Sequence, residues 1–107
     1  MPAASAIKVM VVDDHTSMRA MIRRTLQDLG FRDVRDKASA LEALPAVQND
    51  RVHLIISDYN MPDMDGLEVI RKVREWSSIP IIVVSARGHE REKAEALDAG
   101  ADDYLTK

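Results

Sequence analysis

Carboxylates stand at the ends of two strand-like runs in this sequence. Asp13 and Asp14 follow the run IKVMVV, and Asp58 follows the run LIIS. Two carboxylates about 4 Å apart repel each other by about 4 kcal/mol at an effective dielectric constant near 20. If the two runs are neighbours in a sheet, the three acids need shared protons, intervening water or a bound cation.

A hard divalent cation suits oxygen ligands of this kind. Ligand sets without His or Cys select Mg²⁺, Mn²⁺ or Ca²⁺, and Mg²⁺ commonly takes one or two carboxylates, several waters and a phosphate oxygen. This preference indicates phosphoryl chemistry, in which Asp58 would accept a phosphoryl group as an acyl phosphate. Lys107 would offer a positive charge to one phosphate oxygen, and the Ser85 hydroxyl would offer a hydrogen bond to another.

The elements that would position these residues follow from the apolar pattern. Continuous apolar runs are typical of strands buried on both faces of a parallel sheet, and segments with helical spacing lie between them. The predicted strands are residues 7–12, 34–38, 52–57, 79–85 and 103–106. The order βαβαβαβαβ implies right-handed crossovers and an open parallel sheet covered on both faces. In such sheets ligands bind beyond the carboxyl ends of the strands, which is where the acids, Ser85 and Lys107 would meet.

Helix boundaries are marked by glycines and caps. Gly30 and Gly100 stand where residues just past a helix end belong, and Ser39 with Glu42 forms a capping box. Pro45 falls inside the second predicted helix, so we expect that helix to be short or distorted. In the fourth helix, Ala94 and Leu97 define the expected apolar face, with Ala96 as a third candidate.

The remaining charged residues are more simply explained by turns, helix caps and solvent exposure than by chemistry. Asp63 and Asp65 lie in the turn-forming stretch PDMDG, where Asp65 can cap the third helix. The run HEREKAE is typical of a solvated helix face, and the three histidines share no metal-ligand spacing.

Length and composition limit the class of protein. The 107 residues suit one domain, 1–107, and the 46% hydrophobic and 31% charged content is typical of a globular protein. A net charge of −3 gives no reason to expect nucleic-acid or membrane binding. The absence of Cys excludes disulfides and Cys nucleophiles, and no apolar run approaches the roughly 20 residues of a membrane span. We therefore expect a cytoplasmic location.

Four stretches together resemble a known family. They are VVDD at 11–14, SDYNMPDMDG at 57–66, IPIIVVSA at 79–86 and DAGADDYLTK at 98–107. In order and at this spacing, they resemble the receiver domain of bacterial two-component response regulators. The resemblance implies an α/β, flavodoxin-like, doubly wound, five-stranded parallel sheet with strand order 2-1-3-4-5. It also implies a phosphorelay switch that catalyses only its own phosphorylation and dephosphorylation.

The same resemblance implies a role for each matching residue. Asp58 would be the phospho-acceptor, Ser85 and Lys107 would contact the phosphoryl group, and Tyr104 would be the switch aromatic together with Ser85. Mg²⁺ (or Mn²⁺) would be held by Asp13, Asp14, Asp58 and the backbone carbonyl of Asn60. A sensor histidine kinase or a phosphotransfer protein would donate the phosphoryl group, and a downstream effector or fused output domain would receive the signal.

Two residues flank the expected phosphoryl position. Asn60 and Arg87 are predicted to tune how fast water removes the phosphate.

Three other functions would each need residues that this sequence does not have at the required positions. A calcium loop is excluded because Met61 and Lys72 stand where ligands are required. A haloacid-dehalogenase-like phosphatase using Asp58 as nucleophile remains the alternative, although it needs a second Asp where this chain has Asn60. A flavin-binding module would need a phosphate-binding loop after the first strand, and the sequence DDHTS does not provide one.

The chain also departs from the family, because receivers continue past the Lys into a fifth helix. We expect an apolar strip of sheet to be uncovered here. A shortened chain, a lost terminus, or a dimer or domain swap would each account for it. The first half looks most like stand-alone chemotaxis receivers, and the second half looks more like receivers that precede a DNA-binding domain.

Overall fold

The computed structural model describes residues 3–61, 63–86 and 90–106. Strands and helices alternate along the chain after a short 3-10 turn at Ala4–Ala6. The elements are β1 Lys8–Val12, α1 Thr16–Asp28, β2 Asp33–Lys37, α2 Ala40–Asp50, β3 Leu54–Asp58, α3 Gly66–Arg74, β4 Ile81–Ser85, α4 Glu90–Ala99 and β5 Asp103–Thr106. Two residues with predicted roles, Arg87 and Lys107, lie outside the described residues.

The strands form one parallel sheet in the order β2-β1-β3-β4-β5. The predicted fold class and strand order are confirmed. Val12 is level with Ser57, and Asp58 is level with Val84. Because parallel strands point the same way, the residues that end β1, β3 and β4 lie along one edge of the sheet. We call this the carboxyl edge.

The two faces of the sheet are covered unequally. Helices α2, α3 and α4 pack on one face, where Met10, Ile55, Ile70, Ile81 and Val83 are essentially buried. On the other face, α1 contributes Leu26 to a smaller cluster. Strands β1 and β3 are therefore buried on both faces, as their continuous apolar runs predict.

An apolar groove remains open on the α1 face. It has a volume of about 370 Å³, and Ile56, Ile82, Val84 and Leu105 line it together with Met21 of α1. Met21 is 56% exposed and Leu105 is 49% exposed. This groove is the uncovered apolar strip that the sequence predicts, and the helices within the described residues are the four named above.

Glycines end two of the helices as predicted. Gly30 has φ of 104° and Gly100 has φ of 119°, a left-handed conformation that an added Cβ would strain. The amides of Phe31 and Ala101 donate back to the carbonyls of Leu26 and Ala96 at 3.0 Å. These bonds satisfy carbonyl groups that a helix end leaves without partners.

The expectation of a short second helix is wrong. Helix α2 continues through Pro45 for 11 residues, and Ser39 caps it by accepting a hydrogen bond from the Glu42 amide at 3.3 Å. Pro45 lies on the exposed side of the helix. Its missing N–H and the freed carbonyl of Leu41 can therefore be solvated, which lowers the cost of a proline inside a helix.

The expected apolar face of α4 is correct at Ala96 and wrong at Ala94 and Leu97. Ala94 is exposed and Leu97 is 40% exposed, whereas Ala96 and Glu92 are buried. Glu92 lies one turn before Ala96, so the buried stripe has helical spacing but includes a carboxylate. The interpretation of HEREKAE as a wholly solvated face fails at that residue.

Candidate functional site

Three carboxylates and one imidazole meet at the carboxyl edge. Asp13 and Asp14 follow β1 and Asp58 ends β3, and each of them, with His15, offers a ligand atom within 4.8 Å of the others. Asp13 is 1% exposed and Asp58 is 5% exposed. Burial of charged oxygens at such short range favours a cation among them. The structure thus brings together the three acids that the sequence places at this edge.

His15 contacts both acids of the first strand. Its backbone amide donates to Asp13 Oδ1 at 2.9 Å, and its Nδ1 lies 3.1 Å from Asp13 Oδ1 and 3.1 Å from Asp14 Oδ1. The His15 side chain is 65% exposed, so it lies on the solvent side of the site. Spacing rules for metal ligands did not select His15, because its neighbours in the cluster are carboxylates and not other histidines.

Arg19 of α1 fixes the end of β1. Its guanidinium donates to the carbonyl of Asp13 at 2.8 Å and to Asp36 Oδ2 at 3.3 Å. Asp36 lies on the neighbouring strand β2. The Arg19 side chain is only 16% exposed, so this link between the strands is shielded from water.

The acids after β3 point away from the cluster. Asp65 Oδ1 accepts a hydrogen bond from the Glu68 amide at 2.9 Å, which confirms it as the cap of α3. Asp63 Oδ2 accepts from the Leu41 amide at 2.9 Å and therefore binds the first turn of α2. Both carboxylates stabilise the amino ends of helices, where unpaired amides and the helix dipole favour negative charge.

Helix α3 begins in close contact with the end of β3. The Gly66 amide donates to the Tyr59 carbonyl at 2.7 Å, and the Tyr59 amide donates to the Val84 carbonyl at 3.1 Å. A Cβ on Gly66 would lie 2.9 Å from the Tyr59 carbonyl oxygen and 3.1 Å from that of Asp58. A glycine at this position is thus what allows α3 to approach the backbone beside Asp58.

Hydroxyl groups and carboxylates connect α4 to the neighbouring strands. Ser85 Oγ donates to Glu92 Oε2 at 3.3 Å, and Tyr104 Oη donates to the same oxygen at 3.0 Å. Tyr59 Oη donates to Glu95 Oε2 at 3.3 Å. The two switch candidates from the sequence, Ser85 and Tyr104, therefore share one acceptor that sequence reasoning missed.

The two tyrosines pack edge to face beneath α4. The ring centroids of Tyr59 and Tyr104 are 6.3 Å apart with an interplanar angle of 80°. Burial raises the pKa of Tyr59 to about 12, and the negative charges of Glu95, Glu92 and Asp65 add to the shift. Tyr59 is therefore a protonated hydrogen-bond donor at neutral pH.

Comparison with known proteins assigns the family. The profile of the response regulator receiver domain matches residues 9–107. This chain belongs to that family. The receiver domain is 43% identical over 99 residues to the KDP operon transcriptional regulatory protein KdpE of Escherichia coli K12, and the match covers 92% of this chain. It is 40% identical over 105 residues to a chemotaxis protein CheY homolog of Campylobacter jejuni, which covers 94% of this chain and 81% of that protein.

Solved structures agree with the fold of the receiver domain. The chemotaxis response regulator CheY4 of Vibrio cholerae superimposes with a TM-score of 0.87 at 39% identity, covering 94% of this chain and 86% of that one. The receiver domain spans only 44% of the length of KdpE.

Within the described residues, no helix has the length and apolar composition that a membrane span requires.

Proposed function

We propose that this receiver domain accepts a phosphoryl group on Asp58 in a reaction that depends on Mg²⁺. The observation that supports this most directly is the position of Asp58, a buried carboxylate at the end of the central strand, within 4.8 Å of ligand atoms from Asp13 and Asp14. The phosphatase alternative is not favoured by the family match, and Asn60 stands where that mechanism needs a second acid.

The residues present fit a divalent cation. Asp14 Oδ1 is buried and receives no hydrogen bond within the described part of the chain, although His15 Nδ1 lies 3.1 Å from it. A buried carboxylate oxygen without a donor is costly, and a cation would remove that cost. We propose that Asp13, Asp14, Asp58 and the backbone carbonyl of Asn60 hold Mg²⁺ or Mn²⁺. The bound cation would neutralise the acids and the incoming phosphoryl oxygens.

The chain's own groups supply the rest of the chemistry. An Asp58 oxygen attacks phosphorus, so that a new P–O bond forms as the P–N bond of a phosphohistidine donor breaks, and the leaving imidazole takes up a proton. The Ser85 hydroxyl and the Lys107 ammonium group bind phosphoryl oxygens in the product. Asn60 and Arg87 tune hydrolysis of the acyl phosphate. Domain 1–107 acts as a switch that catalyses only its own phosphorylation and dephosphorylation.

Signalling follows from the charge that phosphorylation adds. Nearly two negative charges and three acceptor oxygens would draw Ser85 and Lys107 toward Asp58, and Tyr104 would respond on the face formed by α4 and β5. A ligand shifts a conformational equilibrium only by the difference between its affinities for the two states. Ser85 and Tyr104 are the groups whose partners would differ.

We propose partners that match this chemistry. The donor would be a sensor histidine kinase or a phosphotransfer protein in the cytoplasm, where the ATP that feeds such kinases is found. The output would pass to a downstream effector or a fused domain. One relative is much longer than this chain and another is of similar length, which suggests these two kinds of output. We propose no direct contact of this domain with nucleic acid or membrane. Any dimer or domain swap would cover the open groove of the α1 face.

Mass spectrometry after treatment with acetyl phosphate tests the proposal. We expect one phosphoryl group on Asp58 in the presence of Mg²⁺, and none when Mg²⁺ is chelated or when Asp58→Asn is used. Asp63→Asn is the matched control, because Asp63 lies in the same acidic stretch but binds the first turn of α2. Labelling that survives in Asp58→Asn, or turnover of a phosphate monoester with release of many equivalents of phosphate, would overturn the assignment.

A further inference from the structure

Glu92 is a buried carboxylate that the proposed phosphoryl transfer does not use. It lies in the first turn of α4 and is 9% exposed, between Ser85 at 1% and Tyr104 at 7%. A buried carboxylate is stable only when donors satisfy it. Here both hydroxyl groups donate to the same oxygen, Oε2, at 3.3 and 3.0 Å.

The hydrogen bond to Ser85 creates a competition. A serine hydroxyl has one proton and can donate it to one acceptor at a time. In the structure that proton is directed at Glu92, whereas the phosphorylated state needs it on an oxygen of the phosphoryl group. Glu92 and the phosphoryl group are therefore rival anionic acceptors for the same donor.

The hydrogen bond to Tyr104 connects this competition to β5. When Ser85 turns toward Asp58, Glu92 Oε2 loses the hydrogen bond from Ser85 and keeps the one from Tyr104. Ser85 and Tyr104 lie on the adjacent strands β4 and β5, and Glu92 lies on the helix between them in sequence. The orientation of Ser85 thus affects a group that both α4 and β5 share.

We propose that Glu92 is a positioning residue of this receiver domain, which holds the Ser85 hydroxyl away from Asp58 and releases it when a phosphoryl group arrives. The inference rests on the proposed role of Asp58. In this role Glu92 stabilises the resting state of the switch. Its carboxylate favours the unphosphorylated arrangement of Ser85, and it keeps the hydrogen bond from Tyr104 after phosphorylation.

Affinity for beryllofluoride, a phosphoryl analogue, tests the role of Glu92. The parent and its variants are titrated with beryllofluoride at saturating Mg²⁺ by calorimetry. We expect Glu92→Met to bind about tenfold more tightly than the parent, the ratio expected when one competing hydrogen bond to a charged acceptor is removed. Glu92→Gln keeps a neutral acceptor for the Ser85 hydroxyl, so the affinity of this variant for beryllofluoride should rise only about threefold. This second variant provides the test if Glu92→Met does not fold.

Two further variants test whether the effect of Glu92 comes from its hydrogen bond with Ser85 or only from its negative charge. Glu90→Gln removes one negative charge from the exposed side of the same helix and should leave the affinity within twofold of the parent. In a Ser85→Ala background, Glu92→Gln should no longer raise the affinity, because the contested proton is gone.

The outcomes distinguish this inference from the proposed function. Unchanged affinity in both Glu92 variants, or the same increase in the Ser85→Ala background, would overturn the role of Glu92. A parent that binds no beryllofluoride at all would instead overturn the role of Asp58.

Discussion

Tyr59 directly follows the proposed phospho-acceptor, and this residue is 8% exposed. Burial, then the charge of Glu95, raises its pKa to about 12 from the ordinary 10. The folded domain therefore holds this proton more tightly than the unfolded chain. The stability that this difference supplies is complete below about pH 10 and is lost as the pH rises to about 12, a loss on the order of 2–3 kcal/mol.

Phenolate absorbance checks the titration of Tyr59. In a Tyr104→Phe variant, Tyr59 is the single tyrosine and should ionise near pH 12. Glu95→Gln should lower that pKa only in part, because burial is the larger cause. In Tyr59→Phe, urea unfolding should show a smaller loss of stability between pH 10 and 12 than in the parent. Ionisation of Tyr59 near pH 10 would contradict this account.

At the scale of elements, α3 is held against the end of β3 by a close approach at Gly66. An added methyl group would meet backbone atoms of Tyr59 at 2.9 and 3.0 Å, and backbone cannot move aside as a flexible side chain can. We expect Gly66→Ala to lower the free energy of unfolding by about 1–3 kcal/mol, although alanine favours helices. The displaced backbone should also slow acetyl phosphate labelling of Asp58.

Urea unfolding compares this variant with a control in the same turn. Glu68→Ala changes an exposed residue in the first turn of α3 and should shift the unfolding free energy by no more than about 0.5 kcal/mol. If Gly66→Ala were as stable as Glu68→Ala, the contact between α3 and the Tyr59 carbonyl would not be tight in solution.

At the scale of the whole molecule, the open groove of the α1 face should bind apolar probes. We expect the parent to enhance the fluorescence of the dye ANS, and the double variant Met21→Gln/Leu105→Gln to enhance it much less, because both side chains are about half exposed at the groove. Leu41→Gln, which changes an exposed leucine on the opposite face, should behave as the parent. Equal enhancement by the parent and the double variant would show that the dye binds elsewhere.

The sequence predicted the fold better than it predicted the residues around the switch. Apolar runs and glycines are local signals, and they located the strands and the ends of α1 and α4. Glu92 was missed because hydrophobic patterning assigns a carboxylate to solvent, whereas here two hydroxyl groups help to stabilise the buried carboxylate. The bond from Asp63 to α2 joins residues 22 positions apart, and a local pattern contains no information on such a contact.

The end of α3 determines how this domain can be observed by fluorescence. Trp76 is the single tryptophan of the chain, is 41% exposed and lies just past α3, whose last residue, Arg74, donates to the carbonyl of Ile79 ahead of β4. It therefore stands at the edge where the strands begin, opposite the acids. We therefore expect indole emission from this protein to report unfolding and not occupancy of the acidic site. A tryptophan in place of Tyr59, whose backbone adjoins Asp58, would stand close enough to sense occupancy.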